Sequence, residues 1–238
     1  MAYGGINADG IVGSPLGNAD HTYPLAPSAQ KVNVLFLVDA STSMFVDHGV
    51  GMSIGDLNGD GVANTRFDLA YDMISDFIAE IEAQYPTATR AIRLLGCCTT
   101  SPTTVAQDYT QASDLAAWSS AVVLAGAAGP SDLDVGVSAA VAWFSSISAT
   151  SSDINRIIIL ADGENTYTNA PTDLATWITT YAGRVSARYI QQLTSYSLTE
   201  WNVLEVLTSD GITEADPEHF AYDLTTGDAA LTISTVFL

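Results

Sequence analysis

The sequence predicts an α/β fold: a doubly wound, mostly parallel central sheet flanked by helices on both faces. Residues 32–38 (VNVLFLV) and 157–161 (IIILA) are nearly continuous apolar runs with β-branched members, the pattern of strands buried on both faces. Between and after these runs, apolar residues recur at helical spacing. Strand and helix segments therefore alternate along the chain, as they do in sheets built from parallel crossover units.

The elements follow in order. Residues 1–30 are rich in Gly, Pro, Ala and Asn and lack periodicity, so they read as an extended arm outside the fold. One domain is expected over 31–238, with a Gly/Asp-rich insertion at about 45–66. After it, Phe67, Ala70, Ile74, Phe77, Ile78 and Ile81 mark one face of a helix that ends before Pro86. Asp72, Asp76, Glu80 and Glu82 on that helix read as its solvated face. Residues 92–97 form the next predicted strand, 113–122 a short helix capped by Ser113, and 133–147 another helix. The second buried strand precedes a helix over about 172–182 and a strand near 187–190. A helix through 201–207, a strand near 220–224 and a last helix from Asp228 complete the reading. Trp118, Trp143, Trp177 and Trp201 fall in predicted helices, where core packing is their ordinary role. No internal repeat or linker calls for a second core.

Composition removes several function classes. With 238 residues, 47% of them hydrophobic, the chain can bury one sizeable core, which excludes disorder and fibrous repeats. It carries 27 acidic against 7 basic residues, a net charge of −20, and Lys31 is its single lysine. Such a chain repels phosphate backbones and anionic lipid, and no basic cluster offsets this locally, so neither nucleic acid nor membrane insertion is expected. The acids are mostly Asp, and only 14% of residues are charged. That acidity suits solubility in a salty or calcium-rich medium, or cation ligation, and either use points outside the cytosol. Residues 1–30 have no Lys or Arg and no apolar stretch of the signal-peptide kind, so export is expected to use another route or a leader not in this chain. No segment holds the roughly 20 apolar residues a membrane helix needs. The adjacent Cys97 and Cys98 rule out a long-range disulfide framework and read as reduced thiols at a strand end, at least one of them buried.

The chemistry concentrates after the first buried strand, which runs directly into Asp39-Ala40-Ser41-Thr42-Ser43. The carboxyl ends of strands are where open α/β sheets place their ligand sites. A carboxylate alternating with two hydroxyls offers hard oxygen donors on one side, as a small divalent cation requires. Ser131, in Gly129-Pro130-Ser131-Asp132-Leu133-Asp134 at a helix start, and Asp162, in the strand-Asp-Gly sequence IIILADG, supply two further loops.

This D-x-S-x-S sequence with its two accompanying loops resembles the von Willebrand factor type A family, from Lys31 to the C-terminus. The resemblance implies a metal-ion-dependent adhesion site holding Mg²⁺, Mn²⁺ or Ca²⁺ on the upper rim of the sheet. Ser41, Ser43 and Ser131 would coordinate directly, Ser131 standing where the family usually has Thr. Asp39 and Asp162 would act mainly through metal-bound water, leaving one position for a partner's carboxylate. The insertion and the acidic, lysine-poor composition look most like type A domains of bacterial calcium-dependent adhesins.

A second cation site is expected within the insertion. Asp56, Asn58, Asp60, Val62 and Asn64 occupy alternate positions of an EF-hand-like calcium loop, with Gly61 at the sharp turn. Phe67 stands at the twelfth position where a Glu is usual, and Asp68, one residue later, is the candidate replacement.

Other signals do not carry function. Gly51-Met52-Ser53-Ile54-Gly55 matches a nucleophile elbow in letters but not in its strand-to-helix context. His21, His48 and His219 are scattered, and the loop from Gly126 to Gly129 lacks the Lys of a phosphate loop. No catalytic residue is expected. The sequence thus points to a non-enzymatic, cation-dependent adhesion module, extracellular or on a cell or virion surface, that engages a protein or glycan carboxylate. The alternative is a virion decoration or filament subunit that uses the arm for homo- or hetero-oligomeric contacts.

Overall fold

A computed structural model describes residues 6–7, 10–11, 31–47, 54–101, 103–128, 131–190, 203–208 and 221–223. Its centre is a six-stranded sheet formed by β1 (Lys31–Asp39), β2 (Thr89–Cys97), β3 (Thr104–Tyr109), β4 (Ile154–Ala161), β5 (Arg184–Tyr189) and β6 (Ala221–Asp223). Their spatial order is β6-β5-β4-β1-β2-β3, all parallel except β3, which runs antiparallel to β2. The order reverses between β1 and β4, and the carboxyl ends of strands at such a reversal are where open α/β sheets place their ligand sites. Asp39 ends β1 and Asp162 follows the last residue of β4, which puts both carboxylates at that switch point.

The long helices among the described residues are α1 (Arg66–Gln84), α2 (Ala112–Ala125), α3 (Leu133–Ser146) and α4 (Ala170–Tyr181), and a 3-10 turn spans Thr42–Phe45. Alternate side chains of β1 serve opposite faces, as the two-residue period of a strand requires. Val32, Val34, Phe36 and Val38 join the core beneath α1 and α2, with Phe67, Ile74, Phe77 and Trp118. Leu35 and Leu37 join a second core with Trp143, Phe144 and Trp177 from α3 and α4. These two cores explain why the first strand is almost unbroken in apolar residues.

Polar exceptions pin particular places. Asn33 and Asn155 face each other across β1 and β4 near the amino ends of the strands, where Asn33 Nδ2 donates to Asn155 Oδ1 at 2.9 Å. Asn155 Nδ2 also donates to the carbonyls of Thr150 and Tyr181 at 2.8 and 2.9 Å. At the other end, Asp134 in the first turn of α3 accepts from the N–H groups of Thr168, Asn169 and Ala170, tying α3 to the start of α4. Gly136 lets α3 lie close on the sheet, since a Cβ there would meet Leu37 Cδ1 at 2.7 Å and Cys97 Cβ at 2.9 Å.

Three local expectations are corrected. Residues 104–109 form an edge strand that sequence reading left unassigned, because its half-exposed TVAQDY has no strong apolar run. Helix α2 starts at Ala112, and its capping box is made by Gln111 and Asp114 rather than by Ser113. Helix α3 starts at Leu133 as expected, whereas α4 opens two residues earlier than the apolar pattern suggests, at Ala170 with Pro171 in its first turn, and both β4 and β5 begin three residues sooner. Both cysteines are buried and free, their Sγ atoms 3.4 Å apart. Burial and the bond from Cys98 hold the Cys97 thiol well above its usual range, the bond first. Trp118, Trp143 and Trp177 are core residues, whereas Trp201, the helix expected from Asp228 and most of the 1–30 arm lie outside the described residues. Among the described residues, no helix is long and apolar enough to cross a membrane.

Candidate metal centre

The chain stitches its three predicted loops together by backbone pairing. Ser41 bridges to Ala128, and Thr42 N–H donates to the Ala128 carbonyl at 3.4 Å, which sets the first loop beside the approach to the second. Ser131 and Asp132 then pair in parallel with Asn165 and Thr166, just beyond Asp162. Gly129 and Pro130, between those two pairings, lie outside the described residues. Three segments remote in sequence thereby share one rim.

Within that rim Asp39 is fully buried and bonded on both oxygens. Oδ1 accepts from Ser41 N–H at 2.8 Å, while Oδ2 accepts from the Ser41 hydroxyl at 3.1 Å and from Asn165 Nδ2 at 2.8 Å. The Ser41 and Ser43 hydroxyls lie 3.0 Å apart, and half-buried Ser43 is the more open of the two. Burial, followed by the charge of Asp162, pushes the Asp39 carboxyl up to about 6, against the lowering effect of bonds from Ser41 and Asn165. Two buried carboxylates share this rim, and the adjacent hydroxyls add hard, neutral oxygen donors of the kind a divalent cation takes. Asn165 Oδ1, buried at the same place, has no hydrogen-bond partner. These donors fit a small divalent ion. Among the described residues, no group of three or more His, Cys, Asp or Glu side chains could hold a metal, so any centre here depends on hydroxyls.

Asp162 already has a cationic partner. Arg66 Nη1 donates to Asp162 Oδ2 at 2.6 Å, with both side chains buried, and Glu164 N–H donates to Oδ1 at 3.2 Å. Neither Arg66 nor Asn165 was singled out from sequence. Asn165 lies three residues past the recognised Asp162, within reach of a motif-based search, but the Arg66 contact spans 96 positions and leaves no local signal.

The insertion has its own geometry. It is closed at the base by a bridge between Asp47 and Thr65 and by Arg66 N–H donating to the Val46 carbonyl at 3.0 Å. Asp56 accepts from the N–H groups of Asp60 and Gly61, Asn58 from Asp60, and Asp60 from Val62, so the alternate oxygens gather around one turn. Gly59 and Gly61 adopt φ of +74° and +89°, which side-chain-bearing residues rarely hold. Val62 is exposed, and Asn64 spends its Oδ1 on the N–H groups of Ile54 and Gly55. Asp68 Oδ1 accepts from Leu57 and Asn58 N–H, and its Oδ2 from the Thr65 N–H and hydroxyl. With four donors on one carboxylate, Asp68 ties the loop to the capping box of α1.

Comparison with solved structures places this architecture. The chain superposes on the VWA domain of SpRpn10 with a TM-score of 0.52 and 10% identity, covering 84% of this chain and 88% of that one. The fold is that of a von Willebrand factor type A (VWA) domain. The same VWA core superposes on the pilus adhesin SpaC from Lactobacillus rhamnosus GG with a TM-score of 0.53 and 12% identity over 82% of this chain. That match spans 28% of SpaC, so the chain corresponds to a minor part of the adhesin's length. No family model matches the chain, and no curated protein matches it in sequence.

Proposed function

We propose that the protein is a divalent-cation-dependent binding module that engages an acidic group on a protein or glycan, with no catalytic step of its own. The observation that carries this reading is the convergence of Asp39, Ser41 and Ser43 with Asp162 at the switch point, and with Ser131 one pairing away. Ser41, Ser43 and Ser131 would hold Mg²⁺, Mn²⁺ or Ca²⁺ directly, and Asp39 and Asp162 would balance its charge. A bound cation supplies a Lewis-acid position for a partner's carboxylate. It also resolves the sign problem of a −20 chain seeking an acidic ligand, since the metal is the local positive charge. The fold likeness to a pilus adhesin supports an adhesive role at a cell or virion surface or outside the cell. In the insertion, Asp56, Asn58 and Asp60 with the Val62 carbonyl would hold Ca²⁺, fixing the loop beside the rim.

Capture on a surface bearing carboxylate-rich peptide tests the reading. Binding in Mg²⁺ or Mn²⁺ that disappears with chelator and with Asp39→Ala is expected. Equal capture by the Asp39→Ala variant in chelator would overturn it.

A further inference from the structure

Arg66 breaks several local rules at once. It is the first residue of α1, where the helix dipole disfavours a positive charge. It is 7% exposed, so its charge is desolvated, and its buried Nε has no hydrogen-bond partner. The contact that offsets these costs is the 2.6 Å ion pair with Asp162, at the rim of the candidate metal centre. The residue is held there firmly, because its own N–H bonds to Val46 and the Thr65–Asp68 capping box closes around the same turn.

We propose that Arg66 is a resident counter-ion that competes with the divalent cation for Asp162 and so sets the metal affinity of the rim. The inference rests on the metal-binding reading above. Asp39 and Asp162 bring two negative charges to one buried site, and Arg66 neutralises one of them when no metal is present. While Asp162 Oδ2 is bonded to Arg66, only Oδ1, which accepts from Glu164 N–H, is left to serve the cation, and a guanidinium next to the site repels a divalent ion. Removing the charge acts twice in the same direction: it destabilises the metal-free protein by leaving a buried carboxylate unpaired, and it lifts the repulsion from the metal-loaded one.

The test uses the full chain stripped with chelator and titrated with Mn²⁺ and Mg²⁺ alone, by calorimetry and by thermal melts. Arg66→Gln keeps a hydrogen-bond donor without the charge, and Arg66→Lys keeps the charge without the fork. Arg66→Gln should melt lower than wild type in chelator and bind metal roughly tenfold or more tightly, within the usual range of coupling between neighbouring sites. Arg66→Lys should stay near wild type in affinity. Metal binding by wild type with unchanged affinity in Arg66→Gln would overturn this inference and leave the metal centre standing. No metal uptake by wild type or either variant would overturn the metal centre itself and this inference with it.

Discussion

Asn155 carries the strongest stability prediction at the scale of single residues. Its buried side chain answers Asn33 across the sheet and donates to the carbonyls of exposed Thr150 and half-buried Tyr181. Asn155→Ala would leave these groups without partners, at a cost of about 2–3 kcal/mol. Urea unfolding should show that loss, and a change below roughly 0.5 kcal/mol would mean water replaces the side chain without penalty. Asn155 bonds Asn33 on another strand and carbonyls of a loop and of the end of α4, so its partners could not be read from sequence. The same holds for Arg66, whose meaning depends on a contact made only once β4 lies beside β1. In contrast, Asp39, Ser41 and Ser43 were legible because the strand end and the alternating oxygens are local features.

Two predictions belong to the elements. Gly136 allows α3 to approach Leu37 and Cys97 so closely that Gly136→Ala must push the helix or the strand aside. A loss of about 1–3 kcal/mol in urea is expected, as for other overpacked cores, and an unchanged midpoint would show that this interface is loose. Asp68 joins an insertion to a helix, so Asp68→Ala should cost about 1–2 kcal/mol through the lost cap. The variant should also be cleaved faster than wild type by protease within residues 54–64. Resistance equal to wild type would mean that the loop is ordered by other contacts. Element legibility followed burial. Strands β1 and β4 and helix α1 were visible because each carries a dense apolar pattern. The edge strand β3 and the Gln111 cap were missed because an edge exposes one side to water, and Gln is an uncommon capping residue.

At the scale of the whole molecule, charge and topology act together. Since −20 is spread over a chain with few cations, self-repulsion opposes folding and screening should relieve it. Melting temperature should therefore rise with NaCl from low to physiological ionic strength, and a flat response would show that the acids are already compensated. Topology was legible as a class, from alternating strands and helices. The decisive feature, the reversal of strand order between β1 and β4, emerges only from the assembled sheet, although it is what brings Asp39 and Asp162 together. An assembly subunit would instead depend on residues 1–30 for oligomerisation. On the adhesive reading, a chain starting at Lys31 should match the full chain in light scattering, and an arm-dependent oligomer would favour the alternative.

The most direct test of the account is calorimetric titration of Mg²⁺ and Ca²⁺, at matched ionic strength, into chelator-stripped wild type, Asp39→Ala and Asp60→Ala. The account predicts two separable sites, one abolished by Asp39→Ala and the other by Asp60→Ala. Metal binding that is indifferent to Asp39→Ala, or none at all in wild type, would contradict a metal centre at the switch point.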